Sequence, residues 1–106
     1  MADLNSYYIS NYTNDTWTNL VTVTNKSIIL SIGATNDSDD PVICEIRITD
    51  STGTEQFKLL PSIELPPHDG ISNSDRIVLQ KGYKIDVKAS APGVTFMVNL
   101  AENESI

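Results

Sequence analysis

Val42-Ile43-Cys44-Glu45-Ile46-Arg47-Ile48-Thr49 alternates apolar residues with mostly polar ones, and that period of two decides the fold. Successive side chains of a strand point to opposite faces, so Val42, Cys44, Ile46 and Ile48 form one greasy face while Glu45, Arg47 and Thr49 turn away. Ile85, Val87, Ala89 and Ala91 repeat the pattern against Asp86, Lys88 and Ser90. Val94, Phe96, Val98 and Leu100 repeat it against Thr95, Met97, Asn99 and Ala101, and Ile28, Leu30, Ile32 and Ala34 form a fourth series. No window of helical length keeps apolar positions at i, i+3, i+4 and i+7, and β-branched residues dominate the ordered segments.

Turn residues punctuate these runs. Asn25-Lys26 closes a strand over Trp17–Thr24, and Asn36-Asp37-Ser38-Asp39-Asp40-Pro41 makes a long connection. Asp50-Ser51-Thr52-Gly53 is a hairpin turn into Thr54–Leu60. Gln80-Lys81-Gly82 turns the strand Arg76–Leu79 into Tyr83–Ala91, and Ala91-Pro92-Gly93 leads into the last strand. The proline-rich stretch 61–75 reads as short β structure at Ile63–Leu65 crossing between sheets. About seven or eight short strands at this spacing predict an all-β, antiparallel two-sheet β-sandwich or jelly roll, with a small closed barrel as the other architecture. The expected organisation is an N-terminal arm or edge segment over 1–16, a β-sandwich domain over 17–102, and a frayed C-terminus over 103–106.

The 106 residues suffice for one domain with a modest core. Fourteen Asp and Glu against seven Lys and Arg give a formal net charge of −7. That balance opposes binding to nucleic acid, which needs clustered cations, and to anionic membranes, while it complements a basic partner patch. The single cysteine, Cys44, excludes an intrachain disulfide and sits in phase with its apolar neighbours as a core residue. Met1–Asn5 holds no cationic segment leading into an apolar run, so folding in a reducing cytoplasm is the expectation. The Asn-x-Ser/Thr triplets at Asn11, Asn14, Asn25, Asn36 and Asn103 are read as by-products of a polar composition.

Candidate chemistry is sparse. His68, the lone histidine, lies in Leu65-Pro66-Pro67-His68-Asp69-Gly70 and reads as a turn residue without a partner. Asp37, Asp39 and Asp40 could attract a hard cation, but the glycine and distal glutamate of a calcium loop are missing. No catalytic, metal-binding or cofactor-binding residue is assigned, and non-enzymatic action is expected. The residues singled out for function are Tyr7, Tyr8, Tyr12 and Trp17, which offer large contact area at low rotamer cost. They fit either an arm docking on a neighbouring chain or a strand covering a sheet edge. Trp17 with the three tyrosines could also form a sugar platform.

Ile63–Gly70, followed by Arg76–Ala91 with Leu79, Gly82 and Ile85 at the spacing leucine-x-x-glycine-aspartate-x-isoleucine, resembles small β-sandwich virion proteins of tailed bacteriophages. Tyr83 stands where that family has aspartate, and Thr22–Ala34 extends the likeness over about residues 20–100. The resemblance implies a non-enzymatic virion component, folded in the host cytoplasm, that decorates a capsid or sits at the head–tail junction or tail. Its partners would be other virion proteins or further copies of itself. A tail or receptor-binding module recognising carbohydrate is the alternative.

Overall fold

The computed structural model describes residues 3–12 and 15–102, so the expectation for 103–106 lies outside the described residues. Nine strands run β1 (Asp3–Tyr12), β2 (Thr18–Thr22), β3 (Ser27–Asn36), β4 (Val42–Thr49), β5 (Glu55–Leu65), β6 (Gly70–Asn73), β7 (Ile77–Leu79), β8 (Lys84–Ala89) and β9 (Val94–Glu102). They form two antiparallel sheets, as the alternation predicts. One has the order β1-β9-β3-β6 with β7 also on β3; the other has the order β2-β8-β4-β5.

The pairings are nested: β1 with β9, β2 with β8, β3 with β6 and β7, β4 with β5. The chain is thus one long antiparallel ribbon, tipped by the Asp50 hairpin and wound until β3 meets β9 and β4 meets β8. That is the jelly-roll arrangement. Its sixth strand is broken in two at residues 74–76, which accounts for the nine strands among the described residues.

The turns follow local chemistry. The Asp50 carboxylate accepts hydrogen bonds from the backbone N–H groups of Thr52 (2.9 Å) and Thr54 (3.0 Å) and from the Thr52 hydroxyl (2.7 Å), an Asx turn that positions Gly53 at φ 89°. Gly82, at φ 85°, passes so close to this hairpin that a Cβ would stand 2.9 Å from Ser51 Cβ. The loop from β3 to β4 hangs on Asn36, which is wholly buried. Its Nδ2 donates to the carbonyls of Asp40, Leu65 and Pro66 at 2.8–3.2 Å, and its Oδ1 accepts from the backbone N–H and hydroxyl of Ser38.

The core lies between the sheets. Val42, Cys44, Ile46, Ile48, Ile85, Val87, Val94, Phe96, Val98 and Leu100 are all buried, in the phase that the sequence gives them. Two expectations change. In β3 the buried apolar residues are Ile29, Ile32 and Ala34, because a bulge between Ile29 and Ser31 takes up Leu30 and shifts the phase by one. Ile63–Leu65 does not cross between sheets: it extends β5 along β4, and the crossing falls at Pro66–Asp69. Within segment 1–16, β1 forms an edge of the five-stranded sheet, paired with β9 from Asp3 to Tyr12.

Candidate interaction face

The two outer surfaces of the sandwich differ in chemistry. On the four-stranded sheet, the outward residues of β4 and β8 pair by charge: Glu45 lies opposite Lys88, and Arg47 opposite Asp86. Arg47 Nε donates to Asp86 Oδ2 at 3.3 Å, Lys58 Nζ reaches Glu45 Oε1 at 2.9 Å, and Asn19 Nδ2 donates to Asp86 Oδ1 at 3.3 Å. The Glu45 hydrogen bond holds the Lys58 ammonium above its usual range. Trp17 joins this lattice, with the Arg47 guanidinium 4.2 Å from its ring centroid and the Lys88 and Lys58 ammonium groups at 5.7 and 5.9 Å. These are cation–π contacts.

Among the described residues, the outward strand positions of the five-stranded sheet carry no charge. Directly opposed residues share a face, so the register assembles it in rows. Leu4, Ala101, Ile28 and Val78 make one row across β1, β9, β3 and β7. Ser6, Asn99 and Ser31 make the next, linked side chain to side chain. Tyr8, Met97, Gly33 and Ser72 make the third, and Thr95 with Thr35 the fourth. Leu4 is 74% exposed, Tyr8 67%, Met97 46% and Val78 45%. Four of the six exposed large hydrophobic residues among the described ones therefore share this face; the others are Ile43 and Phe57. In a chain of net charge −7, an uncharged face with apolar rows is the surface that sheds water at least cost.

The four aromatic residues singled out from the sequence separate in space. Tyr8 stands on the uncharged face. Tyr7 points to the other side of β1, where its hydroxyl donates to both carboxylate oxygens of Glu102 at 2.8 Å, and this bond together with burial raises the phenol pKa. Tyr12 is 3% exposed: its ring belongs to the core, and its hydroxyl donates to the Thr16 carbonyl. The N-terminal segment thus supplies one of the rings of the core. Trp17 lies on the opposite surface, in the charge lattice. Leu4, Val78 and Met97 were not singled out from the sequence and Ile28 was placed in an apolar core series, since only the register reveals that the four share an outer face.

His68 has a partner after all. Its Nε2 lies 2.8 Å from Asp39 Oδ1, with both side chains exposed, and its backbone adopts φ 56°. Among the described residues no group of three His, Cys, Asp or Glu could hold a metal ion. Burial raises the Cys44 thiol pKa to about 11, which suits a core residue and not a nucleophile. Asn36, in one of the Asn-x-Ser/Thr triplets, has its amide fully engaged in holding a loop.

No family model and no curated protein matches the sequence. Solved structures share the fold. A chain of the T13 particle of infectious bursal disease virus is 9% identical, with 92% of this chain and 31% of that one covered at a TM-score of 0.49. The Gx strain of that virus gives 12% identity, 98% and 32% coverage, and a TM-score of 0.48. The globular domain of zebrafish complement 1qA gives 11% identity, 100% coverage of both chains, and a TM-score of 0.51. This chain spans about a third of the length of the two viral chains. The likeness is one of jelly-roll fold.

Proposed function

We propose that this chain is a non-enzymatic virion structural protein of a tailed phage, a capsid-associated decoration or cement protein that works by protein–protein contact. The observation that carries the reading is the uncharged outer face of the five-stranded sheet, with Leu4, Tyr8, Met97 and Val78 exposed on it. A partner that covers this face desolvates no ion, whereas covering the opposite surface would strip water from a lattice of paired charges. The phage assignment draws on the resemblance carried by Ile63–Ala91, and jelly rolls serve as capsid building blocks in general. Fold does not by itself imply function, and the uncharged face supports the reading independently of it.

Trp17, the residue best suited to stack on a sugar, already has the Arg47 guanidinium against its ring, which favours the assembly reading over the carbohydrate one.

The test is incorporation into particles. Val78→Lys and Met97→Glu place a charge on the face without touching the core; both variants should fold normally and be lost from purified virions, while Lys81→Glu, in the β7–β8 turn, should be retained. Equal incorporation of all three variants, or absence of the wild-type chain from virions, overturns the proposal. Specific glycan binding abolished by Trp17→Ala would establish the tail-module alternative instead.

A further inference from the structure

Sheet edges expose unpaired backbone N–H and C=O groups, and proteins guard them with short strands, bulges, Pro or Lys. Three of the four edges here are guarded in this way. β5 carries Lys58 and Pro61 and has three irregularities in its pairing with β4. β2 has five residues and a register shift, and β6 and β7 are short pieces of a broken strand. β1 differs. It pairs with β9 in unbroken register from Asp3 to Ile9, its one register shift falling beyond that run, between Ile9 and Tyr12; it contains neither Pro nor Lys, and has no strand on its other side among the described residues.

We infer that β1 is a self-pairing edge: a second copy of this chain adds antiparallel to it about a two-fold axis through Ser6, joining the two five-stranded sheets into one of ten strands. Self-complementarity selects the second copy. Leu4 and Tyr8 are the two most exposed large apolar residues described, and both lie on the outer face of β1, four residues apart. Pairing centred on Ser6 sets Leu4 opposite Tyr8 of the other copy, twice, so each apolar side chain covers the other. Asp3, the only charged residue in β1, then faces Ile9 of the other copy. The two Asp3 carboxylates fall about 20 Å apart, six residues at the rise of a strand, well beyond a screening length of about 8 Å. No like charges meet, although each copy carries −7 overall. The inference concerns the isolated chain and does not depend on a place in a virion.

Single cysteines test the register, since Cys44 is buried and does not compete. Ser6→Cys brings two thiols face to face at disulfide distance and should give a covalent dimer under mild oxidation. Tyr8→Cys leaves its two thiols four residues out of register and should stay uncrosslinked. Sedimentation of the wild-type chain over a concentration series should show a monomer–dimer equilibrium, shifted to monomer by Leu4→Lys. Three results would overturn the inference: no Ser6→Cys crosslink, equal crosslinking of both variants, or wild-type assembly into open-ended aggregates.

Discussion

Tyr12 meets Phe96 edge to face, with ring centroids 5.7 Å apart and planes at 87°. This contact ties β1 to the centre of the core, because Phe96 is the largest fully buried side chain. Phe96→Ala should cost about 3–5 kcal/mol through lost burial and an incompletely collapsed cavity. Tyr12→Ala should be of similar size, and removal of residues 1–14 should abolish cooperative unfolding. Urea denaturation checks all three; a truncated chain that unfolds cooperatively near the wild-type midpoint would show that β1 adds nothing to the core.

Asn36 holds the β3–β4 loop from inside the protein. Asn36→Ala leaves the buried carbonyl of Leu65 short of a donor and should cost about 1–3 kcal/mol. Asn36→Asp should cost more, since a carboxylate has no proton to give those carbonyls. Chemical denaturation of the two variants, compared side by side, checks the order.

Thr49 offers the reverse case. It is wholly buried, and its hydroxyl has no hydrogen-bond partner. Thr49→Val keeps the shape and removes the unpaired group, so stability should rise by about 1 kcal/mol. A destabilised valine variant would mean that the hydroxyl is satisfied by a water molecule.

Two groups set opposite limits of pH. Thr52 and the backbone at Thr54 hold the Asp50 carboxyl below its ordinary 3.8. Its contribution to stability is therefore present above pH 3.8 and lost as pH falls through the lowered value. Cys44 is the mirror case: burial raises its thiol from 9.0 to about 11. That contribution is complete below pH 9 and lost as pH rises through about 11. Asp50→Asn should flatten the acid limb of a stability–pH profile and Cys44→Ala the alkaline limb, each leaving the other unchanged.

Trp17 and Arg47 should be coupled by about 0.5–1 kcal/mol, the usual strength of a partly exposed cation–π pair. A double-mutant cycle with Trp17→Leu and Arg47→Gln measures the coupling. A value near zero would leave the indole as mere cover for the Arg47–Asp86 pair.

Where one sheet face is buried and the other is charged, the sequence displays the strand openly. β4 and β8 were legible for that reason, down to the burial of Cys44 and Val87, and β9 by the strict alternation that buries Val94, Phe96, Val98 and Leu100. β3 was legible as a strand but not in phase, because the run Ile28-Ile29-Leu30 hides the residue that bulges. β1 was obscure because its outer face is uncharged: Leu4, Ser6 and Tyr8 contrast little with Tyr7 and Ile9 on the inner side. The same lack of charge defines the candidate face, which no single segment contains. It exists only once Leu4, Ala101, Ile28 and Val78 are brought into one row from four separate strands.

The nested winding of the ribbon has a kinetic meaning. The Asp50 hairpin joins sequence neighbours and closes a loop of a few residues, whereas β1 on β9 brings Asp3 to Glu102. Loop-closure entropy favours zipping from the tip outward, with the chain's two ends meeting last and the whole process slow for a domain of this size. Amide exchange during refolding should then protect β4 and β5 first and β1 last. A β1 edge held in register arises only in that final step, so a molecule able to pair through it is one that has already finished folding.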